Sequence, residues 1–214
     1  MGIKQIIAIA SAKGGVGKST VCANLALHFS KSFNVGILDA DIYGPNQHIL
    51  FDLLNEKPEV QMLDGKKTFI PVKIGNISIN SMGFILDSDK AAMWRGPMLS
   101  GAIKQLKDLT QWGDLDYLFI DMPPGTGDAY LTIAKDTLEM LSEAKPDIII
   151  NLAGMTDVNL CEKNPNLAYV SNVKIIENIK LYLDSSAPIL KCDITMSDDT
   201  AKSFEITDNF PLQK

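Results

Sequence analysis

The chain has 214 residues, which favours a single domain, because domains typically contain roughly 100–200 residues. Hydrophobic residues make up 46% of it and charged residues 21%, so disordered, collagen-like and coiled-coil chains fit poorly. Twenty Lys and Arg against 26 Asp and Glu give a formal net charge of −6. Such a chain has no global positive field to attract nucleic acid or an anionic membrane, and we predict neither as a partner.

The cysteine pattern favours a reducing compartment. Cys22, Cys161 and Cys192 are odd in number and far apart, which argues against a disulfide framework.

The apolar run at residues 6–10 follows Lys4 as in a signal peptide, but it is short and is needed as the strand before a glycine-rich loop. No stretch approaches the roughly 20 apolar residues of a membrane span. We therefore expect a cytoplasmic protein.

Strand and helix patterns alternate along the chain. Short apolar runs bounded by turn residues predict strands, and apolar residues at helical spacing predict helices. In chain order we predict strand Gln5–Ala10, helix Val21–Phe29, strands Val35–Leu38, Thr68–Pro71 and Ile77–Ser81, helix Pro97–Leu109, strand Tyr117–Ile120, helix Leu131–Leu141, strand Asp147–Leu152, helix Asn166–Leu183 and strand Pro188–Leu190. This alternation predicts an α/β fold with a layered, mostly parallel sheet.

The segment between the first strand and the first helix has the composition of a phosphate-binding loop: Lys13-Gly14-Gly15-Val16-Gly17-Lys18-Ser19-Thr20. Glycines let backbone N–H groups surround phosphate oxygens, and the N-terminus of the following helix adds partial positive charge. We expect Lys18 to bind the β- and γ-phosphates of ATP and Ser19 to ligate Mg²⁺. The strict motif requires glycine at position 12, where this chain has Ala12 and then an additional lysine, Lys13.

Aspartates follow two of the predicted strands. Asp39 and Asp41 come after one strand and Asp121 after another, and the carboxyl ends of parallel strands face the ligand. We expect Asp121 to hold Mg²⁺ through water, Asp39 to contribute to the metal shell, and Asp41 to orient or deprotonate the attacking water. Gly125 is placed to donate its N–H to the γ-phosphate. Each aspartate taken alone is also compatible with a helix-capping role.

Residues 4–133 resemble the Mrp/ApbC family of P-loop ATPases, which is related to the MinD and ParA proteins. The phosphate loop fits all of these groups, whereas four further segments are typical of Mrp: LDADIYGPN at 38–46, SMGF at 81–84, WRGP at 94–97 and LDYLFIDMPPGTGDAYLTI at 115–133. The resemblance implies a P-loop NTPase fold of the deviant Walker A type and a homodimer in which Lys13 reaches the partner's nucleotide. It also implies an ATPase that binds an iron–sulfur cluster and delivers it to apoproteins.

The family pattern stops after Ala134. The family would continue into a C-x-x-C that holds the cluster, and this sequence contains no C-x-x-C. Residues 145–179 resemble instead an internal segment of dTDP-4-dehydrorhamnose reductase, whose Tyr-x-x-x-Lys motif is also missing from this sequence. We predict one ATPase domain over residues 1–214, made of an Mrp-like part at 1–134, an atypical strand and helix completion at 135–192 and an acidic tail at 193–214.

Three functional hypotheses follow. The leading one is a Mg²⁺-dependent ATPase of iron–sulfur cluster assembly, with weak or no cluster retention, because Cys161 and Cys192 have thirty residues between them. The second is a positioning ATPase like ParA or MinD, which needs a basic patch for DNA or an amphipathic anchor, and the acidic tail argues against both. The third is a hybrid chain that binds ATP only.

Overall fold

We describe the fold from a computed structural model. The structure describes residues 2–11, 15–42, 44–63, 65–84, 97–123, 143–152, 158–163, 165–166 and 189–191. The helix predicted at Leu131–Leu141 and most of the helix predicted at Asn166–Leu183 lie outside these residues. Within them, no helix has both the length and the apolar character that crossing a membrane requires.

Strands and helices alternate over most of the described chain. The strands are β1 (Ile3–Ala10), β2 (Val35–Asp39), β3 (Glu59–Leu63), β4 (Lys66–Ile70), β5 (Val72–Ile74), β6 (Ile77–Ser81), β7 (Leu115–Asp121), β8 (Ile148–Asn151) and β9 (Ile189–Lys191). The helices are α1 (Lys18–Phe29), α2 (Gln47–Leu50), α3 (Pro97–Leu109) and α4 (Val158–Lys163). A short 3₁₀ turn follows β6.

Seven of these strands form one sheet in the order β5-β6-β2-β7-β1-β8-β9. The described pairings are parallel except that between β5 and β6, which is antiparallel. The predicted α/β fold with a mostly parallel sheet is thus confirmed. β3 and β4 pair separately as an antiparallel hairpin.

The core lies on both faces of the sheet. Successive side chains of a strand point to opposite faces, so Ala8 and Ala10 of β1 belong to one buried cluster and Ile7 and Ile9 to the other. Ile103 of α3 packs in the first cluster, whereas residues of α1 pack in the second. Burial on both faces explains why the central strands are almost continuously apolar.

The sequence predicts the amphipathic or fully buried elements well and misses the short exposed ones. The bounds of β6 and α3 agree with prediction, and α1 begins three residues earlier than predicted, at Lys18. β3 is not predicted, because all five of its residues are exposed and the short alternation of Val60 and Met62 with polar residues is broken at Leu63. α2 has four residues, which is too few to show a helical period.

The register of the sheet places several polar residues at one edge. Asp39 at the end of β2 is paired with Asp121 of β7 on one side and with Ser81 of β6 on the other. The chain leaves β1 at the same edge and enters the phosphate loop. The carboxyl ends of four neighbouring strands therefore meet where that loop begins, as expected for a ligand site in a parallel α/β sheet.

Candidate functional site

The described part of the phosphate loop has the backbone conformation that glycine permits. Gly15 and Gly17 have φ of 79° and 82°, in the left-handed region where a side chain is strained. Gly17 is the N-cap of α1, and the N–H of Val21 donates to its carbonyl at 2.9 Å. The first N–H groups of a helix have no partner within it, so this end of α1 favours an anion.

The Lys18 ammonium is buried and is bound by two carboxylates. Lys18 is 5% exposed, its Nζ donates to Oδ1 of Asp121, and Asp41 Oδ2 lies 3.6 Å away. Asp121 has no exposed surface. Because a buried charge is strongly unfavourable without a partner, this cluster holds the lysine next to the loop. Phosphate oxygens are alternative partners for the same ammonium.

Asp39 organises the loop that follows β2. Its Oδ1 accepts a hydrogen bond from the N–H of Asp41 at 3.2 Å. Its Oδ2 accepts from the N–H groups of Asn46 and Gln47 at 3.1 and 3.0 Å and from the Ser81 hydroxyl at 2.9 Å. The carboxylate therefore ties both ends of this loop to β6. The role of Asp39 in a magnesium shell stays a prediction.

The site carries more negative than positive charge. Burial raises the pKa of Asp39 to about 7, the charge of Asp121 adds to the rise, and hydrogen bonds from Gln47 and Ser81 oppose it.

No group of three or more His, Cys, Asp or Glu in the described ranges is arranged to hold a metal ion directly. Mg²⁺ commonly keeps several waters and binds through one or two carboxylates together with substrate phosphates, so this arrangement suits it in the company of a nucleotide.

Two residues of the site, Gln47 and Ser81, were missed by sequence reasoning. Nε2 of Gln47 donates to Oδ2 of Asp121 at 2.7 Å and to the carbonyl of Ser19 at 3.0 Å. The Ser81 hydroxyl accepts from the N–H of Gly83 at 2.9 Å. Ser81 is a polar residue at the end of a predicted strand, and that position could have identified it as a candidate site residue. No comparable sequence sign marks Gln47, because α2 is too short to recognise.

The turn after β6 packs against α2. A Cβ added at Gly83 would lie 2.4 Å from Cε1 of His48, so glycine is needed there for steric reasons. The rings of His48 and Phe84 are in edge contact with centroids 5.8 Å apart. Burial lowers the pKa of His48, as expected for a packing residue. Cys22 is fully buried in the core, and burial raises the pKa of its thiol.

The structure brings together four of the predicted site residues, namely Lys18, Asp39, Asp41 and Asp121. Val16 and Ser19 beside them are half-buried, and Thr20 is exposed on the first turn of α1. The remaining predicted residues, Lys13, Gly14, Gly125 and Cys192, lie outside the described residues, as does the side chain of Cys161.

Comparisons with known proteins agree on the family. A family model described as "ParA: NUBPL iron-transfer P-loop NTPase" matches residues 2–200. An iron–sulfur cluster carrier protein from Pseudomonas fragi is 50% identical over 135 residues, which are 62% of this chain and 46% of that protein. One from Haemophilus influenzae is 40% identical over 187 residues, 86% of this chain and 49% of that protein. The chain thus spans about half the length of these curated relatives.

Solved structures show the same fold. A nucleotide-binding protein from Archaeoglobus fulgidus, in complex with ADP, superposes with a TM-score of 0.58 at 29% identity, covering 92% of this chain and 83% of that one. A plasmid partition protein from Borrelia burgdorferi bound to AMPPNP superposes with a TM-score of 0.56 at 19% identity, covering 92% of this chain and 76% of that one. The second likeness concerns the fold alone.

Removing the Ser81 hydroxyl tests the network around Asp39. Ser81→Ala leaves one acceptor bond of a buried carboxylate unmade, and we expect the free energy of unfolding to fall by about 1–3 kcal/mol. Urea unfolding measures this, and Ser78→Ala, at a buried serine of the same strand, is the control. Equal losses in both variants would contradict a specific role for the bond to Asp39.

Proposed function

The chain belongs to the family of NUBPL iron-transfer P-loop NTPases, and from that membership we propose that it is a magnesium-dependent ATPase serving iron–sulfur cluster assembly. The observation that carries the nucleotide part is the buried Lys18 ammonium, bound by Asp121 and Asp41 at the start of α1. A cation in that position, beside a glycine-rich loop, has the chemistry to bind the β- and γ-phosphates.

Different residues around Lys18 bind the phosphates and the metal. The loop N–H groups and Lys18 bind phosphate oxygens, and Ser19 and Asp121 would hold Mg²⁺. Mg²⁺, when bound, neutralises charge on the phosphates and polarises the phosphoryl group. The excess of carboxylates over ammonium groups at the site favours a divalent cation.

Asp41 is the residue that orients and deprotonates the attacking water in this proposal. Its Oδ1 accepts a hydrogen bond from the N–H of Gly44 at 3.0 Å, which fixes the carboxylate, and its Oδ2 faces the Lys18 ammonium. A carboxylate held this way orients a water and accepts its proton as the bond to phosphorus forms.

A second copy of the chain completes the site in this proposal. The loop carries Lys13 in addition to Lys18, and in the Mrp-like proteins that this chain resembles the additional lysine reaches the partner's nucleotide. Lys13 would then stabilise transition-state charge in trans, as an arginine finger does.

The cargo of the proposed function is an iron–sulfur cluster passed to apoproteins. Its support is the name of the curated relatives, iron–sulfur cluster carrier protein, at 40–50% identity. Cluster ligands are thiolates, and the cysteines of this sequence do not form the C-x-x-C of the family. The alternative, a ParA-like positioning ATPase, is supported by the partition proteins as a fold only.

Replacing Lys18 tests nucleotide binding. Excess Mg·ATP at about 100 times its Kd should stabilise the wild-type chain by about 2.7 kcal/mol, because it binds the folded state alone. Lys18→Ala should show no such shift relative to its own melt without nucleotide, and Lys31→Ala, at an exposed lysine just after α1, should keep it. An undiminished shift in Lys18→Ala would refute the assignment.

Mixing two inactive variants tests the dimer. Asp41→Ala should slow hydrolysis by roughly 10²–10⁴ and Lys13→Ala by roughly 10³–10⁵. Equal mixing should restore about a quarter of the wild-type rate, since half of the twofold dimers regain one complete site. A phosphate-release assay measures this. No recovery, or a monomer by light scattering with Mg·ATP, would overturn the trans role of Lys13.

Anaerobic reconstitution with iron and sulfide tests the cargo. We expect weak or no [4Fe–4S] retention by the 214-residue chain, because thiolates must converge on a cluster. Iron and sulfide counting measures it. A stoichiometric cluster lost in Cys161→Ser or Cys192→Ser, but kept in Cys22→Ala, would show that the two later cysteines form a site despite their spacing.

A further inference from the structure

Gln47 joins three parts of the site at once. Its backbone N–H donates to Oδ2 of Asp39 at 3.0 Å, at the end of β2. Its side-chain Nε2 donates to Oδ2 of Asp121 at 2.7 Å, at the end of β7, and to the carbonyl of Ser19 at 3.0 Å, in the first turn of α1. The residue has no exposed surface. Gln47 therefore fixes the Asp121 carboxylate and the first turn of α1 relative to each other.

These contacts determine how the Gln47 amide is turned. Both partners of the side chain, the Asp121 carboxylate and the Ser19 carbonyl, are acceptors, so the nitrogen must face them. The amide oxygen, Oε1, is then directed away from both of these acceptors. It is buried, and no donor in the part of the chain that the structure describes reaches it. A buried acceptor without a partner is unfavourable, so the position favours a donor that arrives with a ligand.

The chemistry of the neighbours identifies that donor. Nucleotide phosphates offer acceptor oxygens only, and so does Asp121 as a carboxylate. Water bound to a divalent cation is a strong donor, and Mg²⁺ at nucleotide sites keeps several waters. Gln47 binds the Asp121 carboxylate and the backbone carbonyl of Ser19, and Asp121 and the Ser19 hydroxyl are the groups assigned to the metal. A metal-bound water is therefore the ligand group that complements Oε1.

We propose that Gln47 is a positioning residue for Mg²⁺: Nε2 holds Asp121 and the first turn of α1 in place, and Oε1 accepts a hydrogen bond from a water of the metal shell. This inference rests on the proposed nucleotide function and adds to it the residue that couples α2 to the metal. It accounts for a fully buried glutamine in a helix of only four residues.

The test compares ADP binding with and without the metal. Isothermal titration gives the Kd of ADP in excess MgCl₂ and in EDTA, and their ratio is the magnesium enhancement. Gln47→Met keeps the bulk of the side chain but removes its hydrogen bonds, and we expect the enhancement to fall by about 10–100-fold, the usual effect of losing an outer-shell partner. Any loss of ADP affinity in EDTA reports the lost bond to the Ser19 carbonyl, so the ratio of the two Kd values, rather than either value alone, is the readout. Gln61→Met, at an exposed glutamine of β3, is the control and should change neither value.

Each outcome has a distinct meaning. An unchanged enhancement in Gln47→Met, or equal loss of ADP affinity in both buffers, overturns the positioning role while leaving the proposed function intact. A wild-type chain that binds no ADP in either buffer overturns the proposed function instead. Gln47→Asn retains the amide but shortens its reach, and it should lose the enhancement like Gln47→Met. If circular dichroism finds both variants unfolded, Gln47 is a structural residue and the inference is wrong.

Discussion

The buried ion pair between Lys18 and Asp121 is the interaction on which the rest of the site depends. An ammonium with 5% exposure needs compensating charge, and the chain provides it from Asp121 at the carboxyl end of β7 and from Asp41 just after β2. The parallel register brings these ends together, because β2 and β7 are neighbours and Asp39 pairs with Asp121. The sheet therefore determines where a phosphate-binding lysine can be held.

A second network surrounds that pair and connects it to the rest of the molecule. Asp39 accepts hydrogen bonds from the loop after β2 and from Ser81, and Ser81 in turn accepts one from the turn at Gly83. That turn packs under His48 of α2. Hydrogen bonds and packing thus connect β7 through α2 to the turn at Gly83.

The sequence predicts most of the fold and the central residues of the site for identifiable reasons. Buried strands and the amphipathic α3 have strong apolar patterns, so their positions agree with prediction, and the resemblance over residues 4–133 is confirmed by the family model over 2–200. Lys18 and Asp121 follow from spacing along the chain, because a phosphate loop and a strand end have local signatures. Gln47 has none, since its role arises from contacts with residues 28 and 74 positions away. The boundary predicted after Ala134 stays a prediction.

A crystal structure of the chain with Mg·ADP tests the central claim most directly. If Lys18 is the phosphate ligand, its Nζ will lie about 3 Å from a β-phosphate oxygen, a normal hydrogen-bond distance, and Asp121 will face the metal through water instead of binding the ammonium. ADP bound with the Lys18–Asp121 pair unchanged and no phosphate oxygen near Nζ would contradict the account.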